Sequence, residues 1–257
     1  MKQDIDSILL KYSPIKAKKI ASELGISRKE VNSFLYDHPE RYQQDSEYRW
    51  SLIKGKELVL PPEWVTGDNF EIILKQAGDL ITEDNQNIKI NFSSGCKTMI
   101  DCIERLLALG NQLARFGKNV TMDFSNAGET RAYLNRSGFF DHLDEHVVVL
   151  PDRPLISAAQ KYQGQSDTLV EFGTIDTSAT NEDLIEELTN KFIQQSSEEY
   201  RVAAFTVFGE LIGNVLEHSD TPLHGFAGLQ KYGGSREHIQ AVISDSGAIF
   251  ESSVWMS

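Results

Sequence analysis

An acid and an amide at helical spacing are the residues of this sequence best suited to chemistry. Glu210 and Asn214 lie in a mainly apolar segment that begins with the capping-box pattern Ser196-x-x-Glu199 and runs to about His218. Residues four apart share one face of a helix. We expect this apolar helix to be buried against a sheet, so that the carboxylate can orient a water molecule and the amide oxygen can bind a hard cation such as Mg²⁺.

A second polar group follows a predicted strand. Gly225–Tyr232 and His238–Ser244 are strand candidates, and Asp245-Ser246-Gly247 comes directly after the second one. An acid at the end of a strand can accept a hydrogen bond from an exocyclic amine, and a glycine lets the backbone approach a ligand closely.

These two motifs together resemble the GHKL ATPases, a group that includes histidine kinases, gyrase-type topoisomerases, Hsp90 chaperones and mismatch-repair ATPases. Glu210-Leu-Ile-Gly-Asn214 resembles their N-box, and Asp245-Ser-Gly247 resembles the start of their adenine-binding box. The resemblance implies ATP and Mg²⁺ as cofactors, with Asn214 as the magnesium ligand and Glu210 as the catalytic residue that polarises the attacking water. It also implies that Asp245 accepts from the adenine amine and that Gly247 lies beneath the ring.

The sequence departs from the GHKL pattern after Gly247. The family has a second glycine two residues later, where this chain has Ile249, and residues 249–257 do not resemble the lid or the second glycine-rich box. Those parts exclude water from phosphoryl transfer. We therefore expect an incomplete GHKL α/β sandwich that binds nucleotide weakly at most and does not hydrolyse it efficiently alone. Whether the parent protein extends beyond residue 257 is left open.

The first residues of the chain have the pattern of a winged helix-turn-helix. A helix is predicted over residues 15–24, Gly25 ends it, and the capping box Ser27-x-x-Glu30 begins the next helix at once. Strands are predicted around 41–43 and 48–52, where they would form a wing.

The second helix of this unit carries a polar stripe. Lys29, Asn32, Ser33 and Tyr36 follow the spacing i, i+3, i+4, i+7 and so share one face. Basic, amide and hydroxyl groups on one face can donate hydrogen bonds to phosphate oxygens, and the tyrosine ring adds a stacking surface.

The stripe and the tryptophan that follows it resemble the Z-alpha family of winged helices, which bind left-handed Z-form duplexes. The resemblance implies phosphate contacts from Lys29 and Asn32, with Tyr36 and Trp50 packed at the nucleic acid. Ser33 stands where the family commonly has a basic residue. Three alternatives remain open. The unit binds a B-form duplex, it binds a Z-form duplex, or it binds no nucleic acid, in which case the helices dock a protein and Trp50 belongs to the core.

The middle of the chain has the order strand, helix, strand. Asn87–Phe92 and Asn119–Phe124 are predicted strands, a helix with apolar residues at helical period lies between them, and a short helix over Glu129–Asn135 is closed by Gly138. This order resembles STAS-like α/β domains, which implies a docking or sensing role.

These segments define a predicted organisation for the 257 residues. We expect an α/β (mixed α+β) chain with a winged helix-turn-helix over 1–56, a linker over 57–67 that contains Pro61-Pro62, a STAS-like domain over 68–150, and a partial GHKL domain over 151–257.

Composition and charge narrow the function classes. The chain is 40% hydrophobic and 25% charged, which is ordinary globular composition and excludes a wholly disordered chain. No apolar run reaches a membrane-spanning length, the first residues lack a signal-peptide core, and Cys96 and Cys102 cannot form a disulfide framework. We expect a bacterial cytoplasmic protein with reduced thiols and no membrane partner.

The net charge of −13 is unevenly spread. Residues 1–56 hold 11 basic and 8 acidic residues, and the remainder holds 14 basic and 30 acidic residues. Because a polyanion is repelled by an acidic surface, nucleic acid would dock on the first unit.

Three function classes follow. The first is a cytoplasmic regulator that binds a nucleic-acid duplex through its winged helix and responds through a GHKL-type ATP-binding module. The second is a non-enzymatic DNA-binding or interaction protein, in which the ATPase-like fold only docks a protein partner or a second copy. The third is a serine kinase of the anti-sigma type, because STAS-like and GHKL modules occur together in partner-switching systems.

Overall fold

The computed structural model describes the chain apart from residues 1, 40, 54, 82–85, 177, 179, 219–223, 234–236 and 246–257, and apart from the side chains of residues 2, 3 and 218. The predicted mixed α/β class is confirmed, since helices and both parallel and antiparallel sheets are present. The chain forms two compact units. The first comprises the described residues of Met1–Lys56 and Asp79–Ile88, and the second comprises Glu57–Gly78 with the described residues from Lys89 onward.

The elements are numbered along the chain. The described helices are α1 (Lys2–Tyr12), α2 (Ala17–Leu24), α3 (Arg28–Tyr36), α4 (Gly67–Ala77), α5 (Ile100–Arg115), α6 (Gly128–Ser137), α7 (Phe139–His142), α8 (Ala158–Lys161), α9 (Glu182–Gln195) and α10 (Arg201–His218). The described strands are β1 (Ile15–Lys16), β2 (Tyr42–Gln44), β3 (Arg49–Leu52), β4 (Gly55–Leu60), β5 (Trp64–Val65), β6 (Asn87–Phe92), β7 (Lys97–Thr98), β8 (Asn119–Asp123), β9 (Val148–Leu150), β10 (Leu169–Ile175), β11 (Gly225–Tyr232) and β12 (His238–Ser244).

The first unit packs α1, α2 and α3 against a three-stranded antiparallel sheet of order β1-β3-β2. Gly25 ends α2 in the left-handed region at φ 68°, which a glycine adopts without steric cost. The predicted capping box is present at the start of α3. The Ser27 hydroxyl accepts from the backbone N–H of Glu30, and the Glu30 carboxylate accepts from the backbone N–H of Ser27. The two expected wing strands are β2 and β3.

The second unit contains a four-stranded sheet of order β4-β6-β8-β9, in which β8 and β9 are parallel. The two strands expected at 87–92 and 119–124 are its central strands β6 and β8, with α5 between them in sequence. Ile88, Ile90 and Phe92 alternate with more exposed neighbours along β6, and this period of two made the strand predictable.

The expectation of a linker over 57–67 is wrong. Residues up to Leu60 belong to β4 at the edge of the four-stranded sheet, and Leu58 and Leu60 are buried. Trp64–Val65 then pairs in parallel with Lys97–Thr98. The prolines lie between two short strands, and burial of the flanking apolar side chains holds this segment in the second unit.

A second sheet of the same unit has the antiparallel order β10-β11-β12, and β11 and β12 have the predicted bounds. Helices α9 and α10 cover one face of this sheet, where Ala227 and Leu229 are buried. Helix α5 packs against β11 and β12, and the hydroxyl of Tyr232, which points to the other face, accepts a hydrogen bond from the backbone N–H of Ile100 at 2.7 Å. The sheet is therefore packed on both faces.

The start of α10 differs from the expected capping box at Ser196. Ser196 ends α9, its hydroxyl donates to the carbonyl of Phe192, and a 3-10 turn over Glu198–Tyr200 precedes α10. The serine stabilises the end of one helix instead of the start of the next.

Candidate nucleic-acid interface and nucleotide site

A groove in the first unit collects basic and amide side chains. It has a volume of about 280 Å³ and lies where the start of α2, the exposed side of α3 and the β2–β3 hairpin meet. Its polar lining residues are Lys16, Lys18, Arg28, Asn32, Tyr36, Gln44 and Tyr48. Three of these are cations, and none of the three forms an ion pair with any described residue.

Only two of the four residues of the predicted stripe on α3 line the groove. Asn32 and Tyr36 line the groove, whereas Lys29 and Ser33 are exposed farther around the same helix. The Ser33 hydroxyl lies 3.4 Å from a carboxylate oxygen of Asp37, to which it donates. The buried face of α3 is formed by Val31 and Leu35 and turns the stripe outward.

Trp50 is buried, and this corrects the expectation that its ring packs at the nucleic acid. Its exposed fraction is 2%, and its ring meets that of Tyr36 edge to face with centroids 4.9 Å apart. The Tyr36 hydroxyl donates to Gln44 at 2.9 Å. Trp50 therefore contacts the exposed tyrosine from the core side. It also supplies a large apolar side chain to the core of this small unit.

Sequence reasoning missed Lys16, Lys18, Arg28, Gln44 and Tyr48 as groove residues. The two lysines were visible only as part of the basic excess of residues 1–56. Pairing of β1 and β2 with the two edges of β3 brings these residues to one place, and no local pattern encodes that pairing.

In the second unit, the expectation of a buried acid–amide pair on α10 is wrong. Glu210 and Asn214 are both exposed. The helix is buried along the stripe of Ala204, Phe208, Ile212 and Val215. At about 100° per residue, Glu210 lies roughly 160° from Phe208 around the helix axis. The high apolar content of α10 misled the prediction, since several of its apolar residues are exposed as well.

The ends of α10 and β12 meet at a glycine. A β-carbon added to Gly225 would lie 2.5 Å from the carbonyl oxygen of Ser244 and 2.8 Å from a methyl group of Val215. The next residue after Ser244 is Asp245, which is exposed, and Asn214 directly precedes Val215. The chain neighbours of two predicted site residues therefore both lie against Gly225, whereas Gly247 lies outside the described residues.

Asp245 also lies near a buried acid that sequence reasoning missed. The pKa of Glu104, on α5, is raised to about 7, mainly by burial. The Ser244 hydroxyl and Arg105 oppose this increase, and the nearby charges of Asp101 and Asp245 add to it. The apolar period of α5 gave no reason to single out this residue.

The side chains that could hold Mg²⁺ are few. Glu210 and Asn214 offer one carboxylate and one amide oxygen, which are ligand types that Mg²⁺ takes together with substrate phosphates. Within the described ranges, no group of three or more His, Cys, Asp or Glu side chains is arranged to bind a metal. An ion at this place would thus depend on the phosphates of a nucleotide.

Comparison of the chain with models of protein families, with curated proteins and with solved structures finds no significant match. A search of the described helices for one long and apolar enough to cross a membrane finds none.

Proposed function

We propose that the first unit is a winged helix that binds a nucleic-acid duplex through its phosphate backbone, and that the protein acts as a nucleic-acid-binding regulator. The observation that carries this proposal is the groove in which Lys16, Lys18 and Arg28 surround Asn32 and Tyr36. These three cations have no ion-pair partner among the described residues, although the protein has a net charge of −13. They are therefore suited to bind a polyanion.

The Z-alpha resemblance gives this proposal its finer form. Tyr36 is 60% exposed and is held by the ring of Trp50 and the amide of Gln44, so its own ring is oriented before a ligand binds. A Z-form duplex presents an exposed base next to a phosphate. An oriented tyrosine beside Asn32 in the groove, with Lys29 farther along α3, is suited to that arrangement. The proposal therefore includes a preference for a duplex that can adopt the Z-form.

The first prediction concerns the salt dependence of duplex binding. We expect the full chain to bind an alternating duplex able to adopt the Z-form with a slope of log affinity against log salt of about −3, since each phosphate contact contributes about −0.9. Arg28→Ala should weaken binding and make the slope less steep by about 1. Tyr36→Ala should reduce the preference over a duplex that stays in the B-form. Fluorescence anisotropy at several salt concentrations measures both.

The matched control for this prediction is Lys11→Ala, which removes a lysine of the same unit outside the groove. Its slope should equal that of the unaltered protein. A slope near zero, or equal losses for Arg28→Ala and Lys11→Ala, would contradict the proposal.

A second candidate function is nucleotide binding by the second unit, as the GHKL resemblance implies. The packing of Val215 and Ser244 around Gly225 supports it, because the adjacent Asn214 and Asp245 belong to the two halves of the motif. The exposure of Glu210 is in keeping with binding that is weak and not followed by efficient hydrolysis.

The second prediction tests that candidate. Asn214→Ala and Asp245→Ala should each weaken equilibrium binding of labelled ATP in the presence of Mg²⁺ by about tenfold, because each removes a polar contact of roughly 1–2 kcal/mol. Glu217→Ala, an exposed residue of the same helix with no assigned role, serves as the control. If the unaltered protein binds ATP no better than the two site variants, nucleotide binding at this site is excluded.

A further inference from the structure

The second unit contains a cavity with aromatic walls that neither proposed site uses. Its volume is about 320 Å³, and its rings come from Trp64 on β5, Tyr133 on α6 and Tyr232 at the end of β11. The rings of Trp64 and Tyr232 meet nearly at right angles, with centroids 6.3 Å apart. Three rings around one space form flat apolar surfaces of the kind that bind planar molecules.

The aromatic walls are held by hydrogen bonds of the two tyrosine hydroxyls. The hydroxyl of Tyr232 accepts from the backbone N–H of Ile100 at 2.7 Å, and the hydroxyl of Tyr133 donates to the side-chain oxygen of Gln230 at 3.2 Å. The ring of Tyr232 also stacks on His238, with centroids 5.1 Å apart. The walls are therefore oriented before any ligand binds, which lowers the entropic cost of binding.

One polar group of the lining lacks a partner. Thr98 is 1% exposed, and its hydroxyl forms no hydrogen bond with any described residue. A buried polar group without a partner is destabilising by about 1–3 kcal/mol. Because this oxygen has almost no accessible surface, the side chain has to rotate about its Cα–Cβ bond before a ligand with a polar edge in the cavity can supply the missing hydrogen bond.

The rim of the cavity carries one charge of each sign. The ammonium group of Lys97 lies 5.6 Å from the centroid of the Trp64 ring, and Glu129 lies in the first turn of α6. Neither side chain forms an ion pair within the described part of the chain. A donor and an acceptor at the rim favour a neutral ligand that has both kinds of group, and they disfavour a polyanion.

We propose that this cavity binds a small planar heteroaromatic molecule with hydrogen-bond donors and acceptors on its edge, which is the chemistry of a nucleobase or nucleoside. Its volume is at the lower end of the roughly 300–1,000 Å³ of small-molecule sites, and this matches one or two rings better than a nucleoside triphosphate. The side chain of phenylalanine fits less well, because it would leave the Thr98 hydroxyl without a partner. This inference is independent of the proposed duplex binding and uses none of its residues.

The experiment is a titration of the full chain with adenosine, guanosine, cytidine and uridine, followed by tryptophan fluorescence, with ribose and L-phenylalanine as ligands that lack a polar aromatic edge. We expect at least one nucleoside to bind without Mg²⁺, and Trp64→Ala to weaken that binding by about tenfold, since stacking of a base on an aromatic side chain is of that size. For this variant, calorimetry replaces the fluorescence readout.

Two further variants complete the test. Thr98→Val keeps the shape of the side chain and removes its hydroxyl, so it should fold normally and weaken nucleoside binding severalfold. Phe116→Ala removes an exposed aromatic residue outside the cavity and should leave binding unchanged, as should Asn214→Ala, which separates this cavity from the ATP candidate.

Three outcomes would overturn the inference. They are no binding of any nucleoside at 1 mM (on the order of the weakest specific affinities), binding of L-phenylalanine in preference to all nucleosides, and equal affinities for the unaltered protein and Thr98→Val.

Discussion

Glu104 brings an ionisable group into the packing between α5 and β12, where its residue is 8% exposed. Burial is the main cause of its raised pKa of about 7. The folded protein therefore retains, up to a pH near 7, a proton that Glu104 loses in the unfolded chain near its ordinary pKa of 4.5.

This shift predicts the sign of a pH effect on stability. Because the folded state binds the proton more tightly, the contribution of Glu104 is fully present below pH 4.5 and is lost as the pH rises through about 7. Glu104→Gln mimics the protonated form and should raise the free energy of unfolding at pH 8 by roughly 3 kcal/mol, with little change at pH 4. Urea denaturation at the two pH values measures this.

The control for the pH effect is Glu129→Gln, which alters an exposed glutamate of the same unit. At pH 8 it should change the free energy of unfolding by less than about 1 kcal/mol, because this side chain is exposed. A Glu104→Gln variant with the same pH dependence as the unaltered protein would contradict the assignment.

At the scale of one element, α10 separates a buried stripe from an exposed side that is also partly apolar. Phe208 is 6% exposed and packs near Phe192, whereas Phe205 is 47% exposed one turn earlier. Both residues are the same type in the same helix, so their exposure alone distinguishes them. The exposed side also carries Glu210 and Asn214, which places the predicted nucleotide residues away from the core.

The two phenylalanines give a matched stability prediction. Phe208→Ala should lower the free energy of unfolding by about 3–5 kcal/mol, because it removes a buried ring and leaves a cavity. Phe205→Ala should lower it by less than about 1 kcal/mol. Chemical denaturation followed by far-ultraviolet circular dichroism compares them, and equal losses would mean that α10 does not pack through the stripe described.

At the scale of the whole molecule, the second unit joins two sheets that the sequence divides near residue 150. Arg136 on α6 forms an ion pair and hydrogen bond with Glu171 on β10, and Glu171 is 8% exposed. The Arg136 guanidinium also donates to the carbonyl of Tyr162 at 3.0 Å. Contacts of this kind hold residues before and after 150 in one compact unit.

The buried pair predicts a strong effect from one substitution. Arg136→Ala leaves the carboxylate of Glu171 without its cation in a buried place and should lower the free energy of unfolding by about 3–5 kcal/mol. Arg131→Ala on the same helix removes an ion pair with Asp152, whose side chain is 65% exposed, and should cost about 1 kcal/mol or less. Thermal unfolding of both variants provides the comparison, and similar melting temperatures would refute the argument.

Elements with short-range signals were predictable from the sequence. The capping box of Ser27 and Glu30, the stop at Gly25, and the strands β6, β11 and β12 depend on residues a few positions apart, so a local pattern encodes them. The helices α1, α4 and α9 were not predicted, although the buried residues Phe70 and Leu74 of α4 and Ile185, Leu188 and Ile193 of α9 have helical spacing.

The sequence by itself determined the mixed α/β class, the basic excess of residues 1–56 and the outward face of α3. Only the tertiary structure decided that Trp50 is buried beneath Tyr36, that Glu210 faces away from the core, and that residues 57–60 form a strand. It also brought the groove and the aromatic cavity together from distant segments. Burial and strand pairing are contacts between residues far apart in the chain, and hydrophobicity along a segment does not state which partner will cover it.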